Sequence, residues 1–247
     1  MTKVRFGDWV GGFRKVAACS TLVLASILAG TPSAASTFRV DPVQLNLAAD
    51  QSSTSLSLKN ADAQSLAIRA QTFRWTQKDG KDVYEPTSDV IVSPPIFTVP
   101  VQGSQLVRIG MRKRAEGTAY RVILEEIPRA QAGRVNVALR LNLPLYVLAA
   151  GSSQPVVHWA MWQNPAGEMI VEGTNSGSLH LQVTQIDGVV GSAAPIPLSR
   201  QMGVVLPASA RQWNLGKRTD LHAGTPVVLK LQTSMGPVQA PVVLEKR

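Results

Sequence analysis

The side chains that most often perform catalysis or bind metals are scarce in this chain. It has one cysteine and three histidines, and His158, His180 and His222 are not spaced as a ligand pair. The sequence has no G-x-S-x-G or H-E-x-x-H motif and no phosphate-binding or dinucleotide-binding loop. A single cysteine excludes an internal disulfide and a cysteine-based zinc site. We therefore predict that the protein is not an enzyme and has no cofactor and no metal site.

Acidic, aromatic and basic side chains do not form a convergent set either. Glu125 and Glu126 are adjacent, so on a strand they point to opposite faces, whereas a paired-carboxylate hydrolase needs both on one side. Trp159 and Trp162 are three apart on a predicted strand and also diverge, which weakens the alternative of a carbohydrate-active or carbohydrate-binding protein. The formal charge is +9, but the cations are diffuse and no basic stripe contains aromatic residues. No nucleic-acid partner is predicted.

Residues 1–36 have the pattern of a secretory signal peptide. Four Lys and Arg residues within the first 15 positions precede an apolar run, Ala17–Gly30, that is too short for a typical transmembrane helix. Ser33, Ala34 and Ala35 then provide the small residues of a cleavage site. No later stretch has the length of a transmembrane helix. The sequence thus predicts export, with no membrane insertion after the signal peptide is removed.

Alternation of apolar and polar residues dominates the rest of the chain and predicts the elements that must position any site. The longest example is the series of odd-numbered residues from Val135 to Val147, and turn dipeptides such as Asp79-Gly80 recur between such runs. This pattern favours an all-β fold of short strands. Residues 37–150 and 151–247 each suffice for one immunoglobulin-like sandwich. The small, flexible segment 149–155 is predicted to be the hinge between them.

Several stretches, taken in order, resemble the PapD-like family of pilus-assembly chaperones of the chaperone–usher pathway. The resemblance covers essentially all of residues 38–148, and its strength lies in the order of the motifs, since no single motif is specific. Within the family, the sequence is most similar to the branch that serves archaic-type or spore-coat-like pili. The matching stretches are Phe38–Leu47, Ser55–Asn60, Gln71–Trp75, Pro94–Pro100, Gly103–Arg108 and Tyr120–Pro128.

The resemblance implies two immunoglobulin-like domains set in an L and a periplasmic chaperone that binds incomplete pilus subunits. The chaperone lends an edge strand, here Arg134–Val147, to a subunit that lacks its final strand, and it delivers that subunit to an outer-membrane usher. By the matching pattern, Val135, Val137 and Leu139 fill the groove of the subunit, with Leu141 beside them. Self-association through the same strand is a further expectation. A periplasmic structural or adhesive sandwich without chaperone activity is the alternative.

The sequence departs from the family at the anchor for the carboxylate of the subunit's last residue. Well-known members use an Arg on the first strand and a Lys on the lending strand, and these positions fall on Gln44 and Pro144. The usual basic pair is therefore absent. Four other cations on or near predicted strands are candidates for the anchor: Arg39, Arg108, Arg121 and Arg140.

Overall fold

The computed structural model describes residues 38–128, 138–151 and 154–247. The predicted signal peptide, residues 1–36, lies outside them, as do Val135, Val137 and residues 152–153 of the predicted hinge. Every regular element in the described part is a β-strand, which confirms the all-β prediction. None of the described residues belongs to a helix of the kind that crosses a membrane.

The first half of the described chain is an immunoglobulin-like sandwich of two sheets. Its strands are β1 (Phe38–Asp41), β2 (Leu45–Leu47), β3 (Ser53–Asn60), β4 (Leu66–Lys78), β5 (Lys81–Pro86), β6 (Val90–Ser93), β7 (Ile96–Val99), β8 (Ser104–Met111), β9 (Ala119–Glu126) and β10 (Arg140–Val147). The first sheet has the order β1-β3-β8-β6. The second has the order β2-β10-β9-β4-β5, and β7 pairs with β4.

Alternation along these strands produces an aliphatic core between the two sheets. On β3, Leu56 and Leu58 are buried while the serines between them are exposed. On β10, Leu143, Leu145 and Val147 are all buried in the same core. Burial of one such side chain stabilises the fold by about 1.5–3 kcal/mol. The last three apolar residues of the long alternating run therefore belong to the protein's own core.

The second half of the described chain is another sandwich. Its strands are β11 (Val157–Gln163), β12 (Glu168–Asn175), β13 (Leu181–Val189), β14 (Ile196–Ser199), β15 (Gly203–Val205), β16 (Ser209–Lys217), β17 (Pro226–Thr233) and β18 (Gly236–Lys246). The order is β14-β13-β17-β18-β11-β12-β16, and β15 pairs with β13. β18 joins both layers, because Gly236–Val243 pairs with β17 and Leu244–Lys246 pairs with β11.

One buried asparagine occupies the same kind of position in each sandwich. Asn60 is the last residue of β3, and Asn175 is the last residue of β12. In both cases the side-chain amide donates to the carbonyl four residues later and to a carbonyl of a distant strand, while its oxygen accepts from the backbone N–H two residues later. The two halves thus share the same pattern of asparagine hydrogen bonds at the end of a strand, and the sequence alone did not reveal this repeat.

The two sandwiches are in direct contact through the β4–β5 hairpin. Trp75 and Tyr146 of the first sandwich pack with Val204 and Leu206 of the second in a small apolar cluster. Around this cluster, Gln77 donates to the Val204 carbonyl at 2.6 Å and accepts from the Leu206 N–H at 3.0 Å. Asp82 forms an ion pair with Arg211 at 2.5 Å. This contact covers one end of the outer face of the sheet that contains β4, β9 and β10.

Candidate functional site

β10 has an edge that is only partly used within the described chain. It pairs with β9 from Arg140 to Tyr146, but on its other side it pairs with β2 only over Leu145–Val147. From Arg140 to Leu143, no described strand lies on that side. A row of unpaired backbone groups of this kind can accept another strand.

The hydrogen-bond pattern shows which residues of β10 face this open edge. Val147 exchanges backbone hydrogen bonds with the 117–118 turn, and Glu126 donates to the Leu139 carbonyl. Odd-numbered residues of β10 therefore turn their backbone groups towards β9, and even-numbered residues turn theirs outwards. Arg140 and Asn142 thus present their N–H and C=O groups at the open edge.

Pro144 marks the end of the open edge. It is the next even-numbered residue after Asn142 and has no N–H to offer at the point where pairing with β2 is about to begin. Gln44 immediately precedes β2 on the same side. Pro144 and Gln44, the two positions where related chains carry the basic pair, therefore lie at the same end of the open edge.

The predicted donor residues differ in their surroundings. Val135 and Val137 lie outside the described residues. Leu139 precedes β10 and is 37% exposed, and its backbone N–H is held by the Glu126 carboxylate. Leu141, on the same face as Leu139, packs partly against the protein's own core. The assignment of these four residues to subunit binding stays a prediction, and Leu139 is the described member with the freest side chain.

Arg121 is the candidate anchor that lies beside Pro144, but on β9, which is on the opposite side of β10 from the open edge. It is directly opposite Pro144 across β9 and β10, and this pair is of the non-hydrogen-bonded type, in which the Cα atoms are only about 4.5 Å apart. Its guanidinium stacks on Trp75, with Cζ 3.7 Å from the ring centre. The Arg121 Nε–H is buried and has no hydrogen-bond partner among the described residues. The site therefore holds an immobilised cation with an unused donor.

The other three candidate cations do not converge on this point. Arg140 is on the same outer face as Arg121, but it is exposed and lies at the far end of β10, opposite Glu125. Arg39 on β1 and Arg108 on β8 are exposed on the other sheet. The structure therefore separates the four predicted anchor residues and leaves Arg121 alone beside Pro144.

Sequence reasoning missed the aromatic surroundings of Arg121. Phe73 is its neighbour on β4, and Tyr84 lies on β5 next to Trp75. Burial raises the pKa of Tyr84, with Asp82 acting in the same direction and Arg121 opposing both. Burial also raises the pKa of Tyr146 to about 12. The alternation of Phe73 and Trp75 in the sequence could have placed these two rings on one face, but not beside Arg121.

No described group of three or more His, Cys, Asp or Glu side chains could hold a metal ion. The described part of the site consists of one cation, aromatic rings, proline and an open strand edge. Such a set of groups can bind a peptide strand and an anionic group.

Comparison with known proteins identifies the first sandwich. Residues 37–150 match the family model described as "Pili and flagellar-assembly chaperone, PapD N-terminal domain". The first sandwich is thus similar to the N-terminal domain of PapD-like assembly chaperones. The prediction of a PapD-like chaperone is thereby confirmed, and the alternative of a structural or adhesive module is not favoured. No curated protein sequence matches the chain.

Solved structures of PapD-like chaperones and their complexes share the fold of the whole described chain. A chain in the CsuC–CsuE chaperone–tip adhesion subunit pre-assembly complex from archaic chaperone–usher Csu pili of Acinetobacter baumannii matches with a TM-score of 0.64 and 19% identity, covering 85% of this chain and 99% of that one. The E. coli chaperone DraB matches with a TM-score of 0.57 and 16% identity, and the match covers 83% of this chain and 98% of DraB. A chain of the Salmonella enterica SafA pilin–SafB chaperone complex matches with a TM-score of 0.57 and 14% identity, and the match covers 83% of this chain and 94% of that one. At these identities the likeness concerns the fold.

Proposed function

We propose that this protein is a periplasmic chaperone that caps an incomplete pilus subunit by lending it the open edge that leads into β10, and that it then delivers the subunit to an outer-membrane usher. The single observation that carries this proposal is that Arg140–Leu143 is unpaired on one side and is preceded by the exposed Leu139. A sandwich that lacks one strand has an open apolar groove and unpaired backbone groups, and a lent strand satisfies both.

The energy of capping comes from the side chains of the lent strand as well as from its backbone. Val135, Val137 and Leu139 alternate, so they enter the groove from one face, with Leu141 at the boundary with the chaperone's own core. Burial of each such side chain is worth about 1.5–3 kcal/mol before the cost of ordering the strand. The chain has no phosphate-binding loop, so the cycle that we propose uses no nucleotide.

Arg121 takes the place of the missing basic pair in this proposal. Because β2 occupies the edge beyond Leu145, an incoming strand has to end beside Pro144, and Arg121 lies across β10 from that point. A cation at that point favours the carboxylate end of a strand and repels an amino terminus. The subunit strand is therefore expected to run parallel to β10, as β2 does, with its terminal carboxylate at the end of the strand edge that faces Pro144 and within the field of Arg121.

The proposal of export is based on the predicted signal peptide, and the proposal of a partner is based on similarity to known complexes. The Csu and Saf complexes pair a chaperone with a tip adhesion subunit or a pilin, and SfaE is a periplasmic chaperone. By analogy, the partner of this chain is an incomplete immunoglobulin-like pilin, and the compartment is the periplasm. The resemblance of the sequence to archaic-type or spore-coat-like systems supports that branch of the family for this protein.

The decisive experiment is capture of the partner from cells that assemble pili. The mature protein, tagged at its C-terminus, is purified from the periplasm and its partners are identified by mass spectrometry. We expect a one-to-one complex with a small exported β protein that lacks one strand. Leu139→Glu should abolish the complex, because a carboxylate would enter the apolar groove unpaired.

The matched control is Leu106→Glu, which places the same charge at a leucine that is 52% exposed on the other sheet. This variant should retain the partner at the wild-type level. If the wild-type protein is recovered alone while pili are being made, or if both variants behave alike, strand lending through this edge is wrong. The structural-module alternative would then have to be considered again.

A further inference from the structure

The open edge of β10 begins close to the point where the pairing with β9 ends. The register of the two strands places Leu139, one residue before β10, opposite Glu126. The Glu126 N–H donates to the Leu139 carbonyl at 2.9 Å. In an antiparallel ladder the two residues of such a pair exchange two hydrogen bonds, because each N–H donates to the carbonyl of the opposite residue. Here the two backbones form only one of them.

The carboxylate of Glu126 supplies the second acceptor. Leu139 donates its backbone N–H to Oε2 of Glu126 at 3.2 Å. Beyond this point, Ile127 donates its N–H to the Ala67 carbonyl of β4 at 2.8 Å. Pro128, the next residue on the side that faces β10, has no N–H. A side chain thus replaces a backbone carbonyl at the last described contact between β9 and the segment that leads into β10.

The direction of the Leu139 N–H determines what its neighbours offer to a partner. Backbone groups of successive residues on a strand point to opposite sides. While Leu139 is turned towards β9, Ala138 and Arg140 turn their N–H and C=O groups to the open side. They continue the row of outward groups to which Asn142 belongs. The side chains of Leu139 and Leu141 then share one face. A strand that is lent to a partner requires both properties.

Packing does not hold the segment before Leu141 in this orientation. Ala138, Leu139 and Arg140 are all exposed. Leu141 is the first residue of the described run that packs against the protein's own core. A rotation or slip by one residue would exchange the two faces of the segment and turn Leu139 out of the groove. The hydrogen bonds at Leu139 are therefore the contacts that keep its side chain on the face of Leu141.

We propose that Glu126 is a positioning residue for strand lending and holds Leu139 in the orientation that a partner strand requires. This inference rests on the proposed function, because it assumes that Leu139 enters the groove of a subunit. The carboxylate binds the backbone on the side of β9, which is away from the open edge, so it does not compete with the partner. Its contribution is to order the segment before the partner arrives, which lowers the cost of ordering on binding.

The contact requires a hydrogen-bond acceptor at the end of a side chain of this length. Glutamine keeps an acceptor oxygen at this position, whereas alanine has none. An amide oxygen is a weaker acceptor than a carboxylate, so Glu126→Gln should retain most of the positioning. Glu125 provides a matched control, because its side chain lies on the opposite face of β9. Glu125→Ala removes the same charge one residue away and leaves the contact with Leu139 in place.

The first measurement is amide hydrogen exchange at Leu139 in the full mature protein, followed by NMR without any partner. We expect Glu126→Ala to accelerate this exchange about tenfold, which corresponds to roughly 1.4 kcal/mol. Glu126→Gln and Glu125→Ala should accelerate it by about threefold or less. Exchange at Val122 and Leu124, which are buried in the middle of β9, should be the same in all three variants. That result would exclude a general loss of stability.

The second measurement is competition for the subunit that the wild-type protein captures from the periplasm. Each tagged variant is mixed with an equal amount of untagged wild-type protein and a limiting amount of this subunit, and the share bound to the variant is measured. We expect Glu126→Ala to hold about one tenth as much subunit as its competitor. Glu126→Gln should hold about half as much, and Glu125→Ala an equal amount.

The outcomes separate this inference from the proposed function. Unchanged exchange at Leu139 in Glu126→Ala would overturn the contact. Faster exchange with an equal share of subunit would overturn the positioning role. In both cases strand lending stands if Leu139→Glu still loses the subunit. If the wild-type protein captures no subunit, or Leu139→Glu retains it, the proposed function fails and the positioning role fails with it.

Discussion

At the scale of single residues, the positions of Arg121 and Pro144 are the basis of our proposal that the basic anchor lies on a different strand in this protein. Counting along the lending strand assigns the expected lysine to Pro144, where no charge is present. The pairing of β9 with β10 places Arg121 directly opposite Pro144 on the same face, so a cation is carried by the strand next to the one that would carry the lysine. Stacking on Trp75 holds that cation in place. A search along one strand misses this exchange, because the exchange is between neighbouring strands.

The two strand-end asparagines, Asn60 and Asn175, are a second feature of this scale. Both are almost completely buried, and each connects a turn to a distant strand by hydrogen bonds of 2.7–3.3 Å. A buried carbonyl that loses its donor keeps the cost of desolvation without any compensation. We therefore regard each asparagine as the residue that fixes the connection after β3 or β12.

Replacement of either asparagine by alanine should destabilise its sandwich. Because each substitution leaves several carbonyls unpaired, we expect Asn60→Ala and Asn175→Ala each to lower the free energy of unfolding by about 2–4 kcal/mol. Asn46→Ala, at an exposed position on β2, should change it by about 0.5 kcal/mol or less. Urea unfolding monitored by tryptophan fluorescence measures all three. A small effect at Asn60, similar to that at Asn46, would show that water replaces the amide there.

At the scale of secondary-structure elements, two of the partly open strand edges in the described part of the chain differ in their protection. Gly236–Val243 of β18 pairs with β17 on one side, and its other side carries no described strand. The two-residue turn at 234–235 puts Pro237 and Pro241 at the positions whose N–H groups would point to that open side. The open edge of β18 therefore lacks two backbone N–H donors. The edge of β10 keeps its donors at Arg140 and Asn142, where we propose that the partner binds.

Restoring the missing donors on β18 should create a new association edge. We expect the double substitution Pro237→Thr and Pro241→Thr to make the protein associate with increasing concentration, because the open side of β18 would then offer a continuous row of backbone groups. Gln239→Thr, which lies between the two prolines, changes a side chain on the same strand but adds no donor and should behave like the wild type. Sedimentation velocity at several concentrations distinguishes the variants. A double variant that sediments as the wild type does would mean that another feature protects this edge.

The alternating pattern of apolar and polar residues predicted part of this architecture from the sequence. Alternation predicted a strand with one apolar face in the run that ends at Val147, which contains β10, because a strand with one buried face imposes a period of two. It could not divide the run from Val135 to Val147 between the protein's own core and a partner, since both uses have the same period. The division becomes visible at Leu141, which borders the core, and at Leu145, where pairing with β2 begins. The aromatic surroundings of Arg121 depend on strand order, which alternation does not specify.

At the scale of the whole molecule, the contact between the sandwiches combines apolar packing with specific polar bonds. The Gly80 carbonyl accepts from the Gln212 N–H at 2.8 Å, and a Cβ atom at Gly80 would lie only 2.3 Å from the Gln212 side chain. Asp82 links Trp75 of the first sandwich to Arg211 of the second. Trp75 also supports Arg121. The residue that we propose as the anchor is thus supported by a tryptophan that is itself fixed by the contact between the sandwiches.

The same contact contains a half-buried histidine that should make stability depend on pH. His180 of the second sandwich stacks on Tyr146 of the first, with ring centres 3.5 Å apart and planes within 9°. The surroundings that this pair shares include Thr118, Leu148 and Pro207, and no acidic side chain is among the residues that line it. Burial lowers the pKa of His180 from 6.5 to about 4. The imidazole is therefore neutral when the two sandwiches are in contact at neutral pH.

Lowering the pH should weaken the fold through this residue. Between pH 6.5 and about 4, the unfolded chain binds a proton at His180 that the folded chain does not, so the free energy of unfolding falls as the pH falls, by on the order of 2–3 kcal/mol. His180→Phe keeps an aromatic ring against Tyr146 without a titrating group and should remove this part of the pH dependence, whereas His222→Gln, at an exposed position, should retain it. Urea unfolding across this pH range measures the difference between each variant and the wild type. An unchanged pH dependence in His180→Phe would contradict this prediction. It would mean that other groups cause the pH dependence and that the stack with Tyr146 tolerates a charged imidazole.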